Sequence, residues 1–219
     1  MDKEFQNIIF DFDGTLADTS PVIISTMKAT IKELGLPEKT DAECRATIGL
    51  RLEDIPETLW PELHGIGQQY ASTYRLIFDE QKEIVPAQPY PGVIKGLKTL
   101  HDAEYKLAVA SSRSHKSLEE YLDFFGIAYM FSDIIGGGDV EKGKPSPDPV
   151  LAVCHHTGWL PKNCLVVGDA VYDIMMGKTA GCKTYGVSYG NQIREELLTA
   201  DPTGIADSFD QLIDMIMLL

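Results

Sequence analysis

Two aspartates stand directly behind an apolar run near the start of the chain, in the stretch NIIFDFDGTLADT at residues 7–19. Residues 8–10 have the composition of a buried strand, and Asp11 and Asp13 follow them on either side of one phenylalanine. Buried carboxylates are costly unless they are paired or bound to a cation. We therefore expect this strand to end in a charged site with partners elsewhere in the sequence.

Three later segments also place polar residues where a predicted strand or its following turn ends. They carry Ser111 and Ser112 in KLAVASS, Lys144 in KGKPSPDP, and Asp169 and Asp173 in GDAVYD. Each segment by itself is also typical of an ordinary polar strand end or loop. Because the carboxyl ends of parallel strands meet at one edge of a sheet, the segments together predict a single site.

Three carboxylates of that site, on Asp11, Asp169 and Asp173, would repel one another unless a cation lies between them. Oxygen ligands favour Mg²⁺ over Zn²⁺, and these motifs contain neither histidine nor cysteine. A protein-bound Mg²⁺ commonly takes a substrate phosphate as a further ligand. The residues therefore predict Mg²⁺ as the cofactor and a phosphate as the substrate group.

A carboxylate can itself attack phosphorus and form an aspartyl phosphate, but it then approaches a group of its own charge. At about 4 Å and an effective dielectric constant of about 20, each pair of like charges costs about 4 kcal/mol. Mg²⁺ on one side and Lys144 on the other would offset this cost, while the Ser111 hydroxyl and nearby backbone amides bind phosphoryl oxygens. In this interpretation Asp11 is the nucleophile, and Asp13 protonates the leaving oxygen and later activates water.

The elements that must position these residues alternate between strand and helix patterns after residue 85. This alternation predicts an α/β fold, a Rossmann-like doubly wound parallel sheet with helices on both faces. Between residues 17 and 85 we find helical patterns and no convincing strand, and VPAQPYPGV at 85–93 reads as a linker with three prolines. We predict a core of residues 1–16 and 86–219, with residues 17–85 inserted after the first strand as a helical cap.

Composition and charge limit the partners. The 219 residues carry a net charge of −14, which argues against a general nucleic-acid or anionic-membrane surface. The sequence contains no apolar stretch of 18 residues, so we expect no membrane span. The first apolar run is too short for a signal peptide. The four cysteines form no CxxC pair, so we expect free thiols in a reducing cytoplasm. We expect a monomer that acts on a small phosphorylated metabolite.

The sequence resembles the phosphatases of the haloacid dehalogenase superfamily, in the group of phosphoglycolate phosphatases and β-phosphoglucomutases. The resemblance covers the whole chain and is carried by DFDGT at 11–15, Ser111, Lys144 and GDAVYD at 168–173. The haloacid dehalogenases themselves lack the second aspartate, so Asp13 indicates phosphate chemistry. One departure is Ala170, where relatives more often have serine.

The resemblance also implies roles for individual residues. Asp11 would be the nucleophile and Asp13 the general acid and base, as the chemistry of the site suggests. Mg²⁺ would be bound by the side chains of Asp11 and Asp169 and by the backbone carbonyl of Asp13. Asp173 would orient metal-bound water.

Substrate selection is expected to involve the insert, which in such families closes over the cleft and excludes water. The segment TIGLRLED at 47–54 resembles the loop of the cap that reaches the active site, with Gly49 and Arg51 as candidates. Arg51 would bind a substrate carboxylate or second phosphate; the alternative is a surface arginine paired with Asp54. The predicted substrate contacts on the core are Thr15, Ser112 and Arg113.

The function that these features predict is Mg²⁺-dependent hydrolysis of a small phosphate monoester similar to 2-phosphoglycolate, through an aspartyl phosphate. Within the same family the alternatives are an inorganic pyrophosphatase, a sugar-phosphate phosphatase and a β-phosphoglucomutase. A more distant alternative is a signalling domain phosphorylated on aspartate, since such domains also combine clustered aspartates, a serine or threonine and a lysine on a parallel sheet.

Overall fold

A computed structural model describes residues 5–84 and 86–218 of the chain. Its main element is a six-stranded parallel sheet with the strand order β5-β4-β1-β6-β7-β8. The strands are β1 (Asn7–Phe10), β2 (Ala17–Asp18), β3 (Gln88–Pro89), β4 (Lys106–Ser114), β5 (Phe131–Gly137), β6 (Cys164–Gly168), β7 (Lys183–Val187) and β8 (Gly204–Ala206). Of these, β2 and β3 form a separate antiparallel pair.

Helices cover both faces of the sheet and form the insert. They are α1 (Ser20–Glu33), α2 (Asp41–Arg45), α3 (Ile55–Leu59), α4 (Gly67–Ile84), α5 (Val93–Asp102), α6 (His115–Phe124), α7 (Asp148–Thr157), α8 (Val171–Ala180), α9 (Arg194–Leu198) and α10 (Phe209–Met217). The α/β fold class predicted from the alternating patterns is confirmed.

Strand β1 shows why the sequence forms this sheet. It lies between β4 and β6, with Phe10 in register with Val109 and Val167. Successive side chains of a strand point to opposite faces. Ile8 and Phe10 accordingly pack into the cluster that includes α5, α6 and α10, whereas Ile9 packs into the cluster that includes α7 and α8. An apolar run without alternation is the expected pattern for a strand buried on both faces.

The insert has a hydrophobic cluster of its own. The cluster joins the buried face of α1, including Met27 and Ile31, to Trp60 and to the aromatic residues Tyr70 and Tyr74 of α4. A capping box begins α2: the Thr40 hydroxyl accepts a hydrogen bond from the Glu43 amide, and the Glu43 carboxylate accepts one from the Thr40 amide. These helices therefore pack as a unit beside the sheet.

One sequence expectation for the insert is wrong. The segment between 17 and 85 was expected to lack strands, but it begins with β2, whose Ala17 and Asp18 pair with Pro89 and Gln88 of the predicted linker. A two-residue strand is too short to produce a periodic pattern. The pairing brings both ends of the insert together where the chain leaves and re-enters the core.

Several expectations concern the chain more broadly. In the described part of the chain, no helix is both long and apolar enough to cross a membrane. The four cysteines are free, as expected. The division into a core of residues 1–16 and 86–219 and an insert of residues 17–85 stays a prediction, and so does the monomeric state. Residues 1–4, Val85 and Leu219 lie outside the described residues.

Candidate active site

The carboxyl ends of three adjacent strands bring the predicted site together. Asp11 follows the central strand β1, and its backbone amide donates to the Val167 carbonyl of β6 at 2.9 Å. Ser111 lies near the end of β4 on one side, and Asp169 directly follows β6 on the other. Because β1 is paired in register with both neighbours, the ends of these strands lie side by side.

Four buried charges form the centre of the site. The carboxylates of Asp11, Asp169 and Asp173 each offer an oxygen within 4.8 Å of the others. Lys144 Nζ lies 2.6 Å from Asp11 Oδ1 and 2.6 Å from Asp173 Oδ1. The side chains of these four residues are almost completely inaccessible to solvent. Three acids and one base leave a formal charge of −2, which is the charge that one divalent cation neutralises.

Burial and the mutual repulsion of the carboxylates shift the pKa values of these groups. Burial, opposed by Lys144 and reinforced by Asp173 and Asp13, raises the pKa of Asp11 from 3.8 to about 7. Burial and the charges of Asp173 and Asp11 raise the pKa of Asp169 as well. Burial lowers the pKa of Lys144, but the two neighbouring carboxylates outweigh it and keep the lysine charged. One ammonium group is therefore insufficient for three acids.

Asp169 is held by residues of two other segments. Its Oδ1 accepts a hydrogen bond from the Thr15 hydroxyl at 3.3 Å. Its Oδ2 accepts from the backbone amide of Asn191 at 2.6 Å and from the Asn191 side chain at 2.9 Å. Gly14 has φ +84°, and a Cβ at this position would overlap Asp169 Oδ2. A glycine is therefore required where the first loop passes this carboxylate.

Asn191 was missed by the sequence analysis, which considered the ends of four predicted segments but not the loop after β7. That loop leaves the same edge of the sheet, so the rule that located Asp11 and Asp169 also applied to it. The structure further places Thr15, a predicted substrate contact, against Asp169. Its hydroxyl thereby orients a candidate metal ligand.

Asp13 lies beside the acid cluster and has a separate partner. Arg113 Nη2 is 2.6 Å from Asp13 Oδ1, and Nε lies 3.1 Å from both carboxylate oxygens. The guanidinium also lies 5.0–5.7 Å from the ring centres of Phe12, Phe78 and Tyr121. Arg113 was predicted to contact substrate; in the structure it holds the candidate general acid and packs against Phe78 of the insert.

The loop of the insert at residues 47–52 reaches the core, as predicted. The Ser112 hydroxyl donates to the Gly49 carbonyl at 2.6 Å. Arg51 Nη1 donates to the Glu141 carbonyl at 2.7 Å, and the side chain crosses Gly143, next to Lys144. The alternative pairing of Arg51 with Asp54 is not the contact observed. Gly49 and Arg51 thus join the insert to the two core segments that carry Ser112 and Lys144.

A cavity of about 280 Å³ separates the insert from the sheet edge. Asp11, Asp13, Ser111 and Ser112 line its lower side. Side chains of α1, α3, α4 and the 47–52 loop line its upper side. The candidate nucleophile therefore faces a partly open cavity of a size suited to a small organic molecule.

Comparison with known proteins identifies the family. A family model described as haloacid dehalogenase-like hydrolase matches residues 8–187. The chain belongs to this family. A protein of Vibrio vulnificus named phosphoglycolate phosphatase is 30% identical over 225 residues, which cover 98% of this chain and 97% of the relative.

Two further proteins are similar to this chain over nearly its whole length. Pyrophosphatase PpaX of Halalkalibacterium halodurans is 32% identical over 216 residues, which cover 97% of each chain. The crystal structure of a predicted phosphoglycolate phosphatase from Haemophilus somnus has a TM-score of 0.84 at 26% identity, covering 98% of this chain and 99% of the other. The resemblance inferred from the motifs is confirmed, and the chain is a phosphatase of this hydrolase family.

Proposed function

We propose that the chain is a Mg²⁺-dependent phosphatase that hydrolyses a small phosphate monoester through an aspartyl phosphate on Asp11. The observation that carries this proposal is the cluster of three buried carboxylates with one lysine, because its formal charge of −2 calls for a divalent cation. The family match and the relatives named as phosphatases support the same chemistry.

The donor set fits Mg²⁺. Asp11 Oδ1 is buried and, among the described residues, accepts no hydrogen bond of normal geometry, although Lys144 Nζ is near. The ligands would be the carboxylates of Asp11 and Asp169 with the backbone carbonyl of Asp13, all hard oxygens. Both oxygens of Asp173 are engaged, one by Lys144 and one by the Ala170 amide at 3.0 Å. The sequence resemblance assigns Asp173 an indirect role beside the ion.

When bound, Mg²⁺ would neutralise charge on the phosphoryl oxygens and on the attacking carboxylate. A carboxylate oxygen of Asp11 attacks phosphorus, and the bond from phosphorus to the leaving oxygen breaks. In this step Asp13 acts as the general acid and gives a proton to that oxygen. Asp13 then takes a proton from the water that attacks phosphorus, which releases inorganic phosphate and regenerates Asp11.

Two residues on the core would assist the transfer. Lys144 is fixed between Asp11 and Asp173, so its charge opposes the repulsion between the nucleophile and an incoming phosphate. Ser111 lines the cavity next to Asp11, where its hydroxyl can donate to a phosphoryl oxygen.

We propose that residues 17–85 act as a cap, since Ser112 and Arg51 join the insert to the core around the same cavity.

The first substrates to test follow from the sequence resemblance and from the relatives. They are 2-phosphoglycolate and, as the second candidate, inorganic pyrophosphate. A sugar phosphate distinguishes the remaining alternatives, since a mutase would return the phosphoryl group to the sugar and release no phosphate. A signalling domain would form a lasting aspartyl phosphate without turnover; the relatives named as phosphatases disfavour this alternative.

The deciding experiment measures phosphate release from this panel with Mg²⁺ and with a chelator. We expect turnover with Mg²⁺, loss of turnover in the chelator, and recovery when Mg²⁺ is added back. Trapping with labelled substrate after acid quenching should place the phosphoryl group on Asp11. Equal rates with and without the ion, or a label on another residue, would refute the proposal.

A further inference from the structure

The upper wall of the cavity is built from the hydrophobic cluster of the insert. Six buried apolar or aromatic side chains line it, namely Ile23, Met27, Ile48, Ile55, Tyr74 and Phe78. All six belong to that cluster, which is open toward the sheet edge on this side. The space opposite Asp11 is consequently bounded in large part by hydrocarbon and aromatic rings, with ionic side chains of the insert beside them.

The charged side chains around the cavity are bound to one another or to the backbone. Arg75 pairs with Glu53 at 2.7 Å, and Lys82 pairs with both Asp79 and Glu120 at 3.1 Å. The other basic residues that line the cavity in the described part of the chain are also engaged: Arg51 by the Glu141 carbonyl, Arg113 by Asp13 and Lys116 by Glu120. A second anionic group on a substrate would compete with these contacts for the same cations.

Resting on the proposed phosphatase function, we infer that the preferred substrate is the phosphate monoester of an apolar alcohol. Its phosphoryl group would lie at Asp11 and its hydrocarbon part against Met27, Ile48 and Phe78. Hydrolysis breaks the bond between phosphorus and the ester oxygen and yields the free alcohol and inorganic phosphate, with water as the only co-reactant. A small acid such as glycolate would leave most of this wall without a partner.

The volume bounds the size of the alcohol. A cavity of about 280 Å³ is close to the smallest pockets that bind organic ligands, roughly 300 Å³. The phosphoryl oxygens take part of this space, so the leaving group is limited to a short alkyl chain.

The test is a series of linear alkyl phosphates from ethyl to hexyl, compared with 2-phosphoglycolate, pyrophosphate and a sugar phosphate. Each methylene that enters the apolar wall should raise kcat/KM about fourfold, until the cavity is occupied. Ethyl phosphate is the matched comparison for 2-phosphoglycolate, because both leaving groups have two carbons and only that of 2-phosphoglycolate carries a carboxylate. We expect hexyl or pentyl phosphate to have the highest kcat/KM of the panel.

Substitutions then locate the effect. Met27→Gln places an amide in the wall at similar volume and should reduce the gain per methylene to less than about twofold. Met27→Leu keeps the wall apolar and should keep the dependence on chain length. Met217→Gln, on an exposed position of α10, is the matched control. If Met27→Gln does not melt cooperatively, Leu50→Gln, half-buried in the same wall, replaces it.

Binding of alkylphosphonates by calorimetry separates this inference from the function on which it rests. A kcat/KM that is independent of chain length, or highest for 2-phosphoglycolate, would overturn the inferred substrate class and leave the phosphatase intact. If no ester were hydrolysed, the proposed function would fail. The affinity series from methylphosphonate to hexylphosphonate would then decide the apolar site alone, with an equal affinity for all members counting against it.

Discussion

The sheet edge and the cavity wall formed by the insert differ in how their charged side chains are compensated. At the sheet edge, three buried carboxylates share one lysine, and burial, reinforced by Asp173 and Asp13, raises the pKa of Asp11 to about 7. In the wall, apolar side chains of the insert face the cavity, and the ionic groups at its rim form pairs such as Arg75 with Glu53. In our proposals the first region binds a cation and a phosphate, whereas the second contacts the hydrocarbon part of the substrate.

This difference separates chemistry from selection. In the proposed mechanism the sheet edge contacts the phosphoryl group, which every substrate of a phosphatase has in common. The insert would contact the leaving group, which differs between substrates. Variants at the sheet edge should therefore lower kcat for every ester, whereas variants in the insert should change KM or the ranking of esters.

The largest effect is expected at the nucleophile. Asp11→Asn should reduce kcat by more than about 10⁴-fold with every substrate, because an amide cannot form the aspartyl phosphate. The measurement is phosphate release in saturating Mg²⁺, together with a thermal melt that verifies folding. Asp102→Asn, an exposed acid on α5, should retain full activity. Residual turnover above about 1% would contradict covalent catalysis by Asp11.

The next effect is expected at Lys144. Lys144→Met should reduce kcat by about 10²- to 10³-fold, since the charge that counters the repulsion between Asp11 and phosphate is lost. The matched control is Lys142→Met, an exposed lysine two residues earlier. If kcat fell for only a few esters, Lys144 would act in substrate selection rather than in the chemistry shared by all esters. That result would weaken the contrast between the two regions.

A pH dependence of stability follows from the raised pKa of Asp11. Between the unfolded value of about 3.8 and the folded value of about 7, the folded protein binds more protons than the unfolded chain. The free energy of unfolding of the metal-free protein should therefore fall as pH rises through this interval. Asp11→Asn should flatten that dependence in thermal melts recorded with a chelator.

The same titration determines how strongly Mg²⁺ stabilises the protein. The ion binds the deprotonated carboxylates, so its stabilising effect should be greater at about pH 8 than at about pH 5. At a hundredfold excess over Kd the increase is about 2.7 kcal/mol. Melts with and without Mg²⁺ at both pH values test this, and an equal shift at both would argue against an ion bound to Asp11 and Asp169.

The smallest effect is expected at the loop that joins the two regions. Arg51→Ala removes the hydrogen bond to the Glu141 carbonyl and should raise KM about three- to tenfold, equally for carboxylated and neutral esters. A selective loss for 2-phosphoglycolate would instead support the prediction that Arg51 binds a substrate carboxylate. Arg45→Ala, on α2 of the same insert, is the control.

The sequence by itself was sufficient for the fold class and for the members of the acid cluster. Strand β1 is an apolar run followed at once by Asp11, and the same pattern precedes Asp169 after β6. Parallel strands place such ends at one edge, so local patterns were enough to bring distant residues together. The motif around Lys144 predicted the positively charged side chain of the site. Spacing alone did not distinguish Lys144 from a solvated loop lysine.

Only the tertiary structure decided the partners of these residues and the character of the cavity. The bond between Arg113 and Asp13 and the contact of Asn191 with Asp169 join residues 100 and 22 positions apart. The wall around Met27 forms where the helices of the insert leave a space against the sheet. Patterns along the chain report which face of an element is apolar, but packing between elements determines what that face meets.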